Sequence, residues 1–163
     1  MSDSNAGASG HRQSRRAFLG GVAGVGAGVA VSTRGSAQSA VTINDPAVVR
    51  EIEVLFADYN RALTSNDIAA LNGYFFDSPL TVRFGNGENL YGIEAIAAYR
   101  ASVTRAPSVV REHTVITTYG EDFATVAARN QAAGGRIGRT MQTWVRFTEG
   151  WRIVAAHVSS IEA

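Results

Sequence analysis

The last third of the sequence constrains the fold most, because it predicts four β-strands in direct succession. Residues 109–119 are rich in Val, Ile and Thr, and the segments 123–131, 136–148 and 151–161 follow, separated by short turns rich in glycine and acidic residues. Such turns typically join antiparallel strands. We therefore expect a meander of four antiparallel strands at the carboxyl end of the chain.

Three helices are expected before this meander. Apolar residues recur at helical spacing over residues 45–64, which begin with an Asp-Pro entry signal. Shorter helices are predicted over residues 66–75 and 93–104, with a small hairpin over residues 80–91 between them. The order predicts an α+β fold in which three N-terminal helices pack into a strongly curved, mostly antiparallel sheet. This arrangement resembles the cone of the NTF2-like and SnoaL-like folds.

The composition excludes several kinds of chemistry. The chain has no cysteine, and all fifteen of its basic residues are arginine. Disulfides, thiolate sites, Schiff bases and phosphate-binding lysines are therefore excluded. Histidine is scarce beyond residue 40, where only His113 and His157 occur without metal-binding spacing, so we expect no metal site. The near-neutral charge of +1 argues against a nucleic-acid partner.

Residues 1–40 have the order of an export signal. A polar start ends in Arg15 and Arg16, and an uncharged, glycine-rich stretch and small residues follow. The paired arginines resemble the twin-arginine export signal. We expect cleavage between about residues 37 and 40, a periplasmic location and no membrane contact after removal of the leader. The predicted domain, residues 41–163, has eleven arginines and thirteen acidic residues, a net charge of about −2.

Six strings in this domain resemble the AtzH-like family, which includes oxalurate catabolism proteins (HpxZ) and a 1-carboxybiuret deamidase. They are VRFG (82–85), ENLYG (88–92), AIAAYR (95–100), TTYG (117–120), QTWVR (142–146) and GWRIVAAHVS (150–159). The family's activity is attached to a tyrosine on the first helix and an arginine on the first strand, which match Tyr59 and Arg83. The resemblance implies hydrolysis of an amide C–N bond in a carboxylated urea or biuret-like acid, with release of ammonia and without a cofactor. In that reaction Arg83 would hold the carboxylate and Tyr59 would face the reacting group.

Taken alone, the same two residues leave other roles open. Tyr59 lies on the apolar stripe of the first helix, where tyrosine is usually an aromatic filler with its hydroxyl at the rim. Strand alternation over the first strand places Arg83 on the face opposite Leu80, Val82 and Phe84, as either a surface charge or a cavity charge. A cavity arginine needs an anion, and a carboxylate fits its planar fork.

Three more residues are candidates for substrate binding. Arg100 lies on the apolar side of the third helix, where we expect an ion pair with an acidic residue. Gln142 shares a strand face with Trp144 and could orient an amide. His157 alternates with the apolar residues of the last strand, so we expect a half-buried core histidine, with general-base catalysis as the open alternative.

Two other functions remain open from the sequence. One is a non-catalytic periplasmic ligand-binding or accessory protein that uses the same cavity. The other is a SnoaL-like isomerase or lyase, which needs a buried carboxylate base, and the pattern turns neither Asp58 nor Asp77 inward. The outer face of the predicted sheet carries bulky apolar residues, so we also expect a homodimer through that face.

Overall fold

The computed structural model describes residues 40–131 and 133–163, and the predicted leader lies outside them. The helices are α1 (Pro46–Ser65), α2 (Ile68–Gly73) and α3 (Ile93–Ser102), with a short 3₁₀ turn at Ala133–Gly135. The strands are β1 (Val82–Phe84), β2 (Asn89–Tyr91), β3 (Val110–Tyr119), β4 (Phe123–Gln131), β5 (Ile137–Phe147) and β6 (Gly150–Ile161). In the described part of the chain, no helix is long and apolar enough to cross a membrane.

The helix α1 forms where its capping residues and apolar stripe predict it. Asp45 caps its amino end by accepting a hydrogen bond of 2.8 Å from the backbone N–H of Ala47. Asn66 ends it in a left-handed conformation at φ 55°. Its buried residues recur at helical spacing and face the sheet: Val48, Ile52, Phe56, Tyr59 and Ala62.

The six strands form one mixed sheet in the order β2-β1-β6-β5-β4-β3. Neighbouring strands are antiparallel except β1 and β6, which are parallel, with Arg83 opposite Ala156. The predicted α+β class and mostly antiparallel sheet are confirmed. The core lies between the helices and the inner face of this sheet, where Ile52, Ile96 and Trp144 are fully buried.

Two β-bulges change which side chains face the helices. In β3 the pairing with β4 skips Glu112, and in β6 the pairing with β5 skips Val154. Because side chains alternate between the two faces of a strand, one extra residue reverses the alternation beyond it. The faces of β3 and β6 therefore cannot be assigned from a regular alternation of residues.

The expectation of a half-buried His157 is wrong, and the bulge at Val154 is the reason. Trp151 and Ile153 are buried, as the alternation predicts. Beyond the bulge it is Ala156 that is buried, and His157 is exposed on the outer face.

That outer face carries a row of largely apolar side chains. Val115, Ala127, Met141 and His157 are register partners on four adjacent strands, and Phe84 continues the row on β1. Val115 is 47% exposed and Met141 is 52% exposed. The homodimer predicted from the sequence would use this surface and stays a prediction.

Candidate functional site

A cavity of about 770 Å³ lies between the helices and the inner face of the sheet. All three helices contribute to its wall, together with β1 and the strands β3 to β6. A volume of this size lies in the upper part of the range of about 300–1,000 Å³ that is typical of small-molecule sites.

The cavity wall is strongly positive although the predicted domain as a whole is not. Five of the eleven arginines of residues 41–163 line it, namely Arg83, Arg100, Arg105, Arg111 and Arg136. Among the described residues of the wall, Glu88 alone is acidic. Charge of one sign concentrated in a cavity attracts ligands of the opposite sign. The arrangement therefore favours an anionic ligand.

Arg83 lies in this wall with its charge already partnered. Its guanidinium forms an ion pair with Glu88 and stacks 4.9 Å from the ring centre of Tyr99. Burial raises the pKa of the Glu88 carboxyl, but the hydrogen bond and the charge of Arg83 outweigh burial, so the pKa lies below its ordinary value of 4.5. Glu88 is therefore ionised at neutral pH and holds Arg83 in place.

Arg100 differs from Arg83 because its charge has no acidic partner among the described residues. It is 5% exposed, and its guanidinium stacks 4.5 Å from the ring centre of Phe75. Its Nη1 atom is buried without a hydrogen-bond partner in the part of the chain that the structure describes. Burial lowers the pKa of Arg100, and the neighbouring Tyr59 raises it by less. The expected ion pair of Arg100 with an acidic residue is wrong.

Tyr59 lies beside Arg100 in the cavity wall. It comes from the buried stripe of α1, is 6% exposed and packs edge-on against Tyr74 with ring centres 5.7 Å apart. The cavity thus brings together three of the residues singled out in the sequence, Tyr59, Arg83 and Arg100.

Arg111 also lines the cavity, and the sequence analysis missed it. Its guanidinium donates to the side-chain oxygens of Asn60, Asn130 and Thr140 at 2.8–3.2 Å. It also lies 5.3 Å from the ring centre of Phe56. Burial lowers its pKa, and Tyr59 raises it by less. The bulge at Glu112 is the reason, because it sets which residues of β3 face inward and has no signature in the sequence.

Gln142 and His157 are not brought to the cavity. Gln142 is fully buried in the core, where its Oε1 accepts a hydrogen bond of 3.1 Å from the indole N–H of Trp144. His157 lies on the outer face, 6.4 Å from the ring centre of Phe84. Neither residue belongs to the cavity wall.

The acidic residues considered as a base also lie elsewhere. Asp58 forms a surface ion pair with Arg61, and Asp77 is exposed. Over residues 40–131 and 133–163 no cluster of His, Cys, Asp and Glu could hold a metal ion. The chemistry available in the cavity is therefore that of arginine, tyrosine and small polar groups.

The sequence and the structure were compared with those of known proteins. The family model AtzH-like matches residues 41–163. A comparison with curated proteins found no match.

Several solved structures are similar to this chain. A DUF3225 family protein of unknown function from Pectobacterium atrosepticum is 47% identical, with a TM-score of 0.71 over 74% of this chain and 95% of that chain. A cystatin-like fold protein from Burkholderia xenovorans is 43% identical, with a TM-score of 0.72 over 76% of this chain and 98% of that chain. An NTF2-like protein of unknown function from Pseudomonas putida is 18% identical, with a TM-score of 0.61 over 70% of this chain and 87% of that chain, and shows the fold alone.

Proposed function

The chain belongs to the AtzH-like family, and we propose that it hydrolyses an amide C–N bond in a small carboxylated urea or biuret-like acid. The observation that carries this proposal is the buried Arg100, whose guanidinium has no acidic partner among the described residues and lies beside Tyr59 in a positive cavity. A buried charge without a counter-charge costs free energy. A ligand carboxylate would supply that counter-charge.

Arg100 and Arg83 together bind this carboxylate. Nη1 of Arg100 has no hydrogen-bond partner among the described residues, and Arg83 is near enough to lower the pKa of Arg100. The ion pair with Glu88 and the ring of Tyr99 fix the orientation of Arg83. Charge-assisted hydrogen bonds from a fixed guanidinium fork give both affinity and orientation.

Tyr59 is the group that faces the reacting amide. Its hydroxyl donates a hydrogen bond to the carbonyl oxygen, which becomes negative when water attacks the carbonyl carbon. The C–N bond then breaks, one proton of the water moves to the leaving nitrogen, and ammonia departs. The water's remaining O–H stays on the carbonyl carbon of the acid product, so the reaction needs no cofactor.

The cavity is less suited to an isomerase or lyase. Such a reaction needs a carboxylate that can take a proton from carbon. Glu88, the acidic residue in the described wall, is held by Arg83 and has a lowered pKa, which weakens it as a base. The alternative to a hydrolase is a non-catalytic binding protein, and the experiment must distinguish the two.

The experiment measures ligand affinity and ammonia release with oxalurate, 1-carboxybiuret and N-carbamoylglycine. We expect Tyr59→Phe to reduce turnover at least about 100-fold, as loss of a hydrogen-bond donor to the developing negative oxygen does, and to change Kd little. Tyr91→Phe is the matched control, because Tyr91 is 66% exposed and is not part of the cavity wall. Arg83→Lys should weaken binding about 10- to 150-fold, which corresponds to about 1.5–3 kcal/mol.

Thermal melting checks that each variant is folded. If the wild-type protein binds these acids and releases no ammonia, the hydrolase proposal is wrong and the protein is a binder. If Arg83→Lys binds as tightly as the wild type, Arg83 does not hold the carboxylate.

We also propose a location and an assembly. The paired Arg15 and Arg16 before a glycine-rich stretch support export to the periplasm by the twin-arginine route. The apolar row that includes Val115 and Met141 supports a homodimer through the outer sheet face.

A further inference from the structure

We infer that the ligand carries a second acidic group, which Arg111 binds on the side of the cavity away from Arg83. The cavity would then accept a dicarboxylated ureido acid in preference to a monocarboxylated one. This inference rests on the proposed function, since it concerns the same cavity and defines its substrate class further.

Arg111 is held in a fixed orientation by neutral groups. Its Nε and Nη2 donate to Oδ1 of Asn60, at 3.2 Å and 2.8 Å. Its Nη1 donates to Oδ1 of Asn130 at 3.2 Å and to the hydroxyl of Thr140 at 3.1 Å. A guanidinium has five N–H donors, and these contacts use four. One N–H of Nη2 is left for a ligand.

These partners satisfy hydrogen bonds without balancing charge. No described carboxylate forms an ion pair with Arg111, and burial lowers its pKa. A guanidinium that served only to bridge α1 and the sheet would gain more from an acidic partner than from two amides and a hydroxyl. The uncompensated charge at the cavity wall therefore indicates an anion.

The local structure is built to hold this arrangement. Gly138 lies opposite Asn130 in the sheet, and a Cβ atom at Gly138 would stand 2.5 Å from Nδ2 of Asn130. The absence of a side chain at this position lets the Asn130 amide lie where it contacts Arg111. Glycine is thus part of the support of Arg111.

Arg111 and Arg83 are held at different places in the cavity wall. Arg83 lies on β1 and Arg111 on β3, which are four strand spacings apart in the sheet. Glu88 holds Arg83, whereas Asn60 of α1 and the side chains of Asn130 and Thr140 hold Arg111. A ligand that contacts both places has one acidic group at Arg83 and Arg100 and a second acidic group at Arg111.

The test uses pairs of ligands that differ by one charge. The pairs are N-carbamoyl-L-glutamate with N-carbamoyl-L-glutamine, N-carbamoyl-L-aspartate with N-carbamoyl-L-asparagine, and N-carbamoyl-L-2-aminoadipate with its side-chain amide. Within a pair the size is nearly constant and the second carboxylate becomes a neutral amide. We expect the diacid of at least one pair to bind the full chain at least tenfold more tightly, which corresponds to about 1.4 kcal/mol.

Variants assign this preference to Arg111. Arg111→Gln should reduce the ratio of the two affinities to about one. Arg139→Gln is the matched control, because Arg139 is exposed and lies outside the cavity wall, and it should keep the wild-type ratio. Arg111→Lys should keep part of the preference, since the charge remains and the fork is lost.

The wild-type ratio decides the inference even if a variant does not fold. If the monoacid of every pair binds as tightly as the diacid and is hydrolysed, the second acidic group is wrong and the proposed function stands. If the diacid preference survives Arg111→Gln in a folded protein, Arg111 is not its cause. If none of the six compounds binds while oxalurate or 1-carboxybiuret binds and is hydrolysed, the inference is wrong and the proposed function stands.

Discussion

Replacing Arg100 by methionine should stabilise the protein and abolish its function. Arg100 is 5% exposed, and its Nη1 is buried without a partner among the described residues. A buried unsatisfied polar group costs about 1–3 kcal/mol. Methionine has a similar length and removes that cost, so the folded state of Arg100→Met no longer carries an unpaired charge.

Part of this gain is offset by a lost contact. The guanidinium of Arg100 stacks on Phe75 at 4.5 Å, and such a contact contributes about 0.5–2 kcal/mol. A methionine sulfur near the same ring restores about 0.3–1.5 kcal/mol. The net expectation is a stabilisation of about 1 kcal/mol. For the domain of residues 41–163, at about 2.1 cal/mol/K per residue, that raises Tm by about 4 °C.

The assay is thermal unfolding of the wild type and Arg100→Met at pH 7, with ligand affinity measured in parallel. Arg139→Met is the control for loss of charge alone, since Arg139 is exposed and substitutions of that kind usually change stability by less than about 0.5 kcal/mol. A fall in Tm of several degrees for Arg100→Met would show that Arg100 is a structural residue. Unchanged ligand affinity would refute its role in binding.

Two further predictions concern the groups around the arginines. Glu88→Gln should lower the free energy of unfolding at pH 7 by about 1.5 kcal/mol, because it breaks the ion pair with Arg83. The loss is measured as a lower Tm. The pKa of Glu88 is lowered in the folded state, so the ionised carboxylate stabilises the folded protein above pH 4.5, and this stabilisation is lost as the pH falls further. The Tm values of the wild type and Glu88→Gln should therefore converge in acid. Gly138→Ala should displace the Asn130 amide and reduce the preference for diacids while the protein stays folded, as titration of the ligand pairs and melting would show.

The sequence predicted the fold well because its signals are local. The apolar stripe and the Asp-Pro entry of α1 place its ends within one residue of Pro46–Ser65. Differences occur where tertiary contacts outweigh local pattern. Phe75 was predicted at the end of the second helix, but it pairs with Ile153 of β6 instead. Leu80 was predicted in the first strand and is 85% exposed before it.

The cavity was harder to predict, because two of its determinants depend on strand register. The bulge at Val154 turns His157 to the outer face. The bulge at Glu112 reverses the alternation of side chains, so that the face of Arg111 does not follow from that of the rest of β3. A single extra residue in a strand leaves no local signal in the sequence. The sequence also did not predict that Arg100 lacks an acidic partner among the described residues, because this depends on where the tertiary structure places the acidic residues.

The parallel pairing of β1 with β6 also sets the order in which the chain can fold during synthesis. Arg83 lies opposite Ala156, which follows it by 73 positions. At about 5–20 residues per second, a ribosome needs about 4–15 s to add them. Until then β1 has only the three-residue strand β2 as a neighbour, and an isolated hairpin is marginally stable. The part of the cavity wall that carries Arg83 is therefore completed last. A chain that ends before residue 155 would contain the three helices and the five arginines of the wall, but its cavity would not be assembled.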